Sequence, residues 1–421
     1  MPVFWPDVRG DVVPSAPEAE APPVESRVRH ADLFDRAVRS STAGKDGDHA
    51  GVIVKPNKLV DRYKLVDRYK LVDRYEFDDA IYGFAAWIPL VNLEETLEAM
   101  GLDPDIISVE PDLPAELPDP VLPIPTLVQS RPWSVEDIGA EAVRRVDDVT
   151  IYIVDTGMHD YDLNEIAADN LTESRNGRDA LMHGYSGAVI AAALNNRQGL
   201  VGVAPGAEVY SIKVFDDDGS ASLATIVLAI ERIMERQRES RTPAVINLSL
   251  GADVGTTEYT ALDEAVDAAV AAGITVVVAA GNAGIDASTV TPAHARGAIT
   301  VGSYTKVPLV NRRQPSWFSN HGTTVDLYAP GEMIYTLIAP KRGLLPARAG
   351  FVDGTSFAAP HVTGAVARLL GANPNLRPEE VREELLRRSR PLDTGEPGLF
   401  LGAEPTGISG TLGDLTGSLF R

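Results

Sequence analysis

The 421-residue chain contains no cysteine. Disulfides, thiolate metal centres and cysteine nucleophiles are therefore excluded, although the absence does not fix the compartment. No apolar run reaches the ~20 residues that a membrane-spanning helix needs. The start, Met1-Pro2-Val3-Phe4-Trp5-Pro6-Asp7, lacks a basic stretch followed by an apolar core, so no secretory signal is visible. Positive charge is scarce. Lys and Arg number 38 against 60 Asp and Glu, for a net charge of −22. Such a field disfavours nucleic-acid backbones and anionic membrane surfaces as partners, and it suits a soluble protein that resists association. What remains is ordinary globular material, 44% hydrophobic and 23% charged, long enough for more than one domain.

The most informative stretch is Gly354-Thr355-Ser356-Phe357-Ala358-Ala359-Pro360-His361. A serine stands there between a glycine turn and a helical run. Serine is a weak nucleophile until a base takes its proton and N–H donors await the oxyanion. A helix N-terminus offers such donors, although an N-cap serine is also common. A base and an orienting acid must come from elsewhere. Val149 to Val154 is an apolar, β-branched run, the pattern of a buried strand, and it ends at Asp155-Thr156-Gly157. An aspartate just beyond such a strand sits where α/β sheets place their chemistry. His183-Gly184 then opens a helical run of small residues up to Leu194.

The order Asp…His…Ser in these contexts resembles the subtilisin-like serine peptidases. Further ordered blocks carry the resemblance across about Gln129 to Arg388. They are Gly202-Val203-Ala204-Pro205, Ile246-Asn247-Leu248-Ser249-Leu250-Gly251, Ala279-Ala280-Gly281-Asn282, Phe318-Ser319-Asn320, Val325-Asp326 and Ala329-Pro330-Gly331. The resemblance implies an α/β, three-layer αβα fold with a mostly parallel sheet, in agreement with the alternation of strands near Val149, Val209, Ala244, Ile274 and Ala298 with helical segments. It implies a serine endopeptidase that needs no cofactor for catalysis. Ser356 is the implied nucleophile, His183 the base, Asp155 its orienting acid and Asn282 an oxyanion donor. Ser249, Leu250, Gly251, Ala280 and Gly281 are implied to bind an extended polypeptide substrate. The family block Gly-His-Gly-Thr-His-Val-Ala-Gly departs here: Tyr185 and Ser186 replace threonine and a second histidine, and Val189 replaces a helix-packing glycine. A different seating of that helix follows. Ala283 after Asn282 provides no carboxylate for a basic P1 side chain, so apolar or aromatic P1 is expected. The residues alone also suit a peptide-binding fold without catalysis, or an inhibitor dominated by its N-terminal module.

Leu194-Asn195-Asn196-Arg197-Gln198-Gly199-Leu200 resembles the family's calcium loop. By position it implies Gln129, Asp162 and Asn196 as side-chain ligands, with carbonyls of Leu194, Gln198 and Leu200 around a structural calcium ion. A solvated Asn-rich turn is the alternative.

The chain divides into five parts. Residues 1–50 read as a disordered leader, rich in Pro, Ala and Glu between Pro14 and Glu25. Residues 51–112 resemble the family's propeptide, a small α+β ferredoxin-like module. Its marks are Val52-Ile53-Val54, Ile81-Tyr82-Gly83-Phe84-Ala85-Ala86-Trp87, a helix near Asn92 to Met100, and Ile106 to Asp112. The resemblance implies that it assists folding and then inhibits the protease, and secretion would go with the family. The hexad Lys-Leu-Val-Asp-Arg-Tyr occurs three times, over 58–75, and reads as an expanded loop or strand extension. Residues 113–127 form a proline-rich linker, with self-cleavage expected near Leu127/Val128. The peptidase unit follows over 128–390, and a Gly/Thr/Leu-rich tail over 391–421.

Overall fold

The computed structural model describes residues 28, 49–57, 60, 62–113, 115, 124–125, 129–140, 145–307, 312–339 and 347–402. The expected cleavage position near Leu127/Val128 and the end of the tail lie outside these residues.

Six elements build the N-terminal unit: β1 (His49–Pro56), α1 (Arg62–Tyr69), β2 (Val72–Phe77), β3 (Gly83–Pro89), α2 (Leu93–Leu102) and β4 (Ile106–Pro111). The strands form one antiparallel sheet in the order β2-β3-β1-β4, a ferredoxin-like succession. The pleat separates two apolar faces. Val52, Val54, Phe84 and Ala86 pack under Leu65 and Met100 of the two helices. Ile53 and Ala85, on the other face, join a core shared with the following unit.

Of the hexads, expected to form a loop or a strand extension, the third is a strand extension and the second is helical, while Lys58, Leu59 and Asp61 of the first lie outside the described residues. The second copy lies in α1, the third runs into β2, and the sequence is the same in both. The leucine is buried in both copies, Leu65 at 0% and Leu71 at 7% exposure, while the valine after it is half-buried at Val66 and 43% exposed at Val72. Each copy's arginine finds a different carboxylate. Arg62 pairs with Glu76 and Asp78, Arg68 with Asp103 and Asp105, and Arg74 with Asp112. Tertiary context overrides local propensity here.

The second unit continues with β5 (Ile124–Pro125), α3 (Trp133–Asp137), β6 (Thr150–Asp155), β7 (Asn164–Asn170), α4 (His183–Ala192), β8 (Glu208–Lys213), α5 (Leu223–Ser240), β9 (Ala244–Leu248), β10 (Ala252–Asp253), α6 (Ala261–Ala271), β11 (Thr275–Ala279), β12 (Val290–Thr291), β13 (Ile299–Val307), β14 (Arg312–Pro315), β15 (Leu327–Pro330), β16 (Ile334–Ala339), β17 (Arg348–Val352), α7 (Thr355–Ala372), α8 (Pro378–Arg388), β18 (Arg390–Pro391) and β19 (Pro397–Gly398). The main sheet has ten strands, with β7, β8, β6, β9, β11, β13, β15 and β19 parallel in that order and β14 and β18 antiparallel at its margins. One core lies under α4 and α7, the other under α5 and α6. Strand order reverses at β6, so the C-terminal end of that strand is the topological switch point of the sheet. Among the described residues no helix is long and apolar enough to cross a membrane.

Part of the expected tail packs on the sheet. Leu392, Leu399 and Phe400 are buried, and the Leu399 N–H donates to the Tyr328 carbonyl at 2.8 Å, which ties the segment to β15. The N-terminal unit starts earlier, at His49, and Val28 of the expected leader bridges to Val109.

The two units meet through carboxylates at helix ends, where unpaired N–H groups and the dipole favour anions. Glu110 accepts from the Ala261 N–H of α6 at 2.6 Å, and Asp112 from the Ala224 N–H of α5 at 2.8 Å. In return Glu231 of α5 accepts from the N–H groups of Asp78, Asp79 and Ala80.

Candidate active site

Every residue of β6 is buried, and Asp155 at its end is only 1% exposed. Its carboxylate faces the first residue of α4: the Asp155 Oδ1 lies 2.8 Å from His183 Nδ1 and also accepts the Thr156 N–H at 2.7 Å. Gly184 makes the approach possible, since a Cβ there would stand 2.7 Å from the Gly157 carbonyl and 2.9 Å from Asp155 Cβ. Met182, just before the histidine, has φ +67°. A non-glycine residue rarely adopts that conformation. Asp179 holds it there, accepting from the N–H groups of Leu181, Met182 and Tyr185. The buried ammonium of Lys213 donates to the Thr156 carbonyl at 2.7 Å.

Burial of His183 disfavours its charged form, but the Asp155 charge and hydrogen bond outweigh this and raise the imidazole pKa above its ordinary value. The other ring nitrogen, Nε2, is buried and has no hydrogen-bond partner among the described residues. The His183 ring packs on Phe357, with centroids 5.1 Å apart. Phe357 directly follows Ser356, the second residue of α7, whose own exposure is 4%. Sheet and helix thus gather Asp155, His183 and Ser356 at one end of β6.

Asn282 completes the group. Its Oδ1 accepts from the Thr355 N–H at 2.8 Å and the Thr355 hydroxyl at 2.9 Å, which leaves its NH2 to face elsewhere. The Thr355 hydroxyl in turn accepts the Gly281 N–H at 3.1 Å. Gly281 has φ +101°, and a Cβ on it would meet the Asn320 amide at 2.3 Å. Asn320 braces the same loop through the Ala283 and Ile285 N–H groups and the Ala280 carbonyl. A pocket of about 250 Å³ opens here, lined by Ser356 and Asn282 together with Leu250, Gly251 and Gly281. Ile285 and Val290 make part of its wall apolar, while Asp253 adds a carboxylate that the sequence reading did not foresee. Ser249 and Ala280 lie beneath this surface: the Ser249 hydroxyl donates to the Ser356 carbonyl, and the Ala280 N–H to the Val301 carbonyl.

The departures around α4 have their own partners. The Tyr185 hydroxyl donates to the Tyr161 carbonyl at 3.0 Å, and the Ser186 hydroxyl to the Leu337 carbonyl at 2.9 Å. Val189 is buried in the core, and close packing passes to Gly187, where a Cβ would touch the Pro360 ring at 3.4 Å. The roles of Asp179, Lys213 and Thr355 were missed from sequence. Only the aspartate four residues before His183 carried a signal, that of a helix N-terminus.

The expected ion ligands also converge. Carbonyls of Leu194, Gln198 and Leu200 all surround the amide nitrogen of Gln129, at 2.8, 2.8 and 3.3 Å. Asp162 accepts from the Asn196 amide and the Leu200 N–H, both at 3.0 Å. Burial pushes its carboxyl up to about 7, against the pull of those hydrogen bonds. No cationic side chain pairs with it among the described residues.

The sequence profile of the subtilase family matches residues 136–403. Subtilisin E of Bacillus subtilis (strain 168) is 34% identical over 304 residues, which cover 69% of this chain and 72% of that protein. The subtilisin of Bacillus pumilus is 36% identical over 269 residues, 61% of this chain and 90% of that one. Among solved structures, fervidolysin from Fervidobacterium pennivorans, a keratinolytic enzyme related to subtilisin, aligns with a TM-score of 0.68 at 25% identity, covering 85% of this chain and 61% of its own. The chain belongs to the subtilase family and is a subtilisin-like serine endopeptidase.

Proposed function

We propose that the enzyme cleaves extended polypeptides through Asp155, His183 and Ser356. The observation that carries this is the Asp155–His183 hydrogen bond, which fixes the ring with Nε2 unpartnered beside the start of α7. Ser356 Oγ attacks the scissile carbonyl while His183 Nε2 takes its proton. Asp155 holds the tautomer with hydrogen on Nδ1 and stabilises the imidazolium. The NH2 of Asn282 and the Ser356 N–H bind the oxyanion. Collapse of the tetrahedral intermediate breaks the C–N bond, and His183 gives its proton to the leaving amine. Water then hydrolyses the acyl-enzyme by the same base. Labelling of Ser356 by a fluorophosphonate, lost in Ser356→Ala along with peptidase activity, is the expected result; an active Ser356→Ala overturns the assignment.

The N-terminal unit over 49–112 acts in this reading as a propeptide and inhibitor, and the chain is a self-processed proenzyme. In support, the chain leaving β4 runs beside the sequence ahead of α5: the Leu113 carbonyl accepts the Leu223 N–H at 2.9 Å and the Ala115 N–H donates to the Ala221 carbonyl at 3.2 Å. Antiparallel contacts of this kind are how an extended chain is held on a strand edge.

The residues at the loop after α4 fit a calcium ion. A buried carboxylate without a cationic partner among the described residues and three converging carbonyls form the mixed oxygen set that calcium prefers. Asp162, Asn196 and the carbonyls of Leu194, Gln198 and Leu200 would hold it, with Gln129 turning its amide oxygen inward. The ion would neutralise Asp162 and take no part in peptide cleavage.

A further inference from the structure

An α-helical carbonyl normally accepts the N–H four residues ahead. For Ser356 that residue is Pro360, which lies inside α7 and has no N–H. A proline ring also presses on the carbonyl four residues back. The nucleophile's own carbonyl is thus left without a helical donor, in a place where Ser356 is 4% exposed. A buried orphan carbonyl costs free energy and loosens the residue that carries it.

Ser249 fills the gap. Its hydroxyl donates to the Ser356 carbonyl at 2.6 Å. The same hydroxyl oxygen accepts from the Asn247 amide at 2.8 Å, and the Asn247 Oδ1 accepts from the Thr363 hydroxyl at 2.8 Å. Thr363 lies two turns beyond Ser356 on α7, so the chain of bonds leaves the helix, passes through β9 and returns to it. Asn247 and Thr363 are wholly buried and Ser249 is 1% exposed. Each donor has one acceptor in this line, so every hydroxyl hydrogen is committed to a single direction.

We propose that Ser249, backed by Asn247 and Thr363, is a positioning residue that sets the backbone of Ser356, and so the placement of its Oγ and N–H, by replacing the donor that Pro360 removes. This rests on the reading of Ser356 as nucleophile. The substrate-pairing role expected for Ser249 uses its backbone; this role uses its hydroxyl.

The test is a double-mutant cycle in the processed enzyme, read as kcat and KM on a peptide substrate, with thermal stability measured alongside. Ser249→Ala is expected to lower kcat by about tenfold or more with KM held within about twofold, the mark of an interaction needed in the transition state. Pro360→Ala restores an N–H at position 360, and in that background Ser249→Ala should cost less than about threefold. Thr363→Val, which keeps the shape and removes the hydroxyl, gives a reading that does not depend on the proline: kcat falls while Thr363→Ser retains it. Unchanged kcat in Ser249→Ala, an equal loss in both backgrounds, or equal kcat in the two Thr363 variants overturns the proposal and leaves the nucleophile assignment standing. Activity surviving in Ser356→Ala overturns both.

Discussion

At the scale of single residues, the proton acceptor fixes how activity depends on pH. If His183 is the base for Ser356, as proposed, only its neutral form can take the proton. Burial works against the imidazolium, but the Asp155 carboxylate on Nδ1 wins and the pKa lies above the ordinary value of 6.5. As pH falls through that raised pKa the base is protonated and activity is lost. The acid limb of kcat/KM should therefore have its midpoint above 6.5. Asp155→Asn removes the charge, so the limb should move to lower pH while kcat drops by about 10⁴. A limb that stays in place in the variant would count against Asp155 as the source of the shift. Asn282→Ala should lower kcat by about 10²–10³ with little change in KM, since the oxyanion exists only after attack. Most of this site was legible. Asp155, His183 and Ser356 sit at strand and helix ends marked by glycine and by runs of small or β-branched residues. Asp179 and Thr355 were not legible in their roles, because each acts on a backbone group whose direction depends on the finished turn. Asp253 joins the pocket through the path of the chain after Gly251, which no local pattern encodes.

Whole elements were read more easily than their boundaries or partners. Strands β6, β8, β9, β11 and β13 announce themselves as buried apolar runs, whereas the reciprocal cap between Thr260 and Asp263 that starts α6 shows only in the structure. The hexads defeat any such reading, since one string becomes a helix and then a strand. What separates the copies is the pairing that the rest of the unit supplies: the third runs along β3, from Val72 opposite Trp87 to Phe77 opposite Gly83. Leu65→Ala in α1 should cost about 2–5 kcal/mol, as expected for a fully buried leucine. Tyr63→Ala, at a site 57% exposed, should stay within about 0.5 kcal/mol. Denaturant unfolding of full-length Ser356→Ala protein carrying each change measures both. Equal costs would mean that α1 does not bury its apolar side as described. The loop after α4 offers a separate measurement. An ion held at a hundredfold excess over its dissociation constant adds about 2.7 kcal/mol. A domain of this size shifts by about 2–4 °C per kcal/mol, so chelation should lower Tm by roughly 5–10 °C. Asp162→Asn should abolish that response, and a chelator effect equal in both proteins would place the ion elsewhere.

On the scale of the whole molecule, the N-terminal unit is held by charge used twice. Asp112 caps α5 with one oxygen and receives Arg74 of the third hexad on the other, and both side chains are nearly buried, at 1% and 13% exposure. Arg74 also lies over the rings of Tyr75 and Trp87, 5.0 and 4.8 Å from their centroids. Its loss would leave a buried carboxylate with its α5 cap but without its cation, and breaking a buried pair in this way costs about 3–5 kcal/mol. The first hexad's Arg62 makes the same kind of bridge to Asp78, whose side chain is 62% exposed. Exposed bridges contribute only about 0–1 kcal/mol. Identical hexads therefore differ in consequence by where their arginines arrive. If the N-terminal unit restrains the protease, Arg74→Gln should shorten the lag before peptidase activity appears in freshly folded full-length protein by about tenfold or more, since each 1.4 kcal/mol lost from the junction is a factor of ten in its release. Arg62→Gln should leave the lag within about twofold, because its carboxylate partners, Asp78 and Glu76 at 62% and 35% exposure, keep their contact with water when the arginine is gone. Progress curves on a fluorogenic peptide, started at equal protein concentration, separate the two variants. Indistinguishable lags would show that the third hexad's arginine does not govern release of the unit.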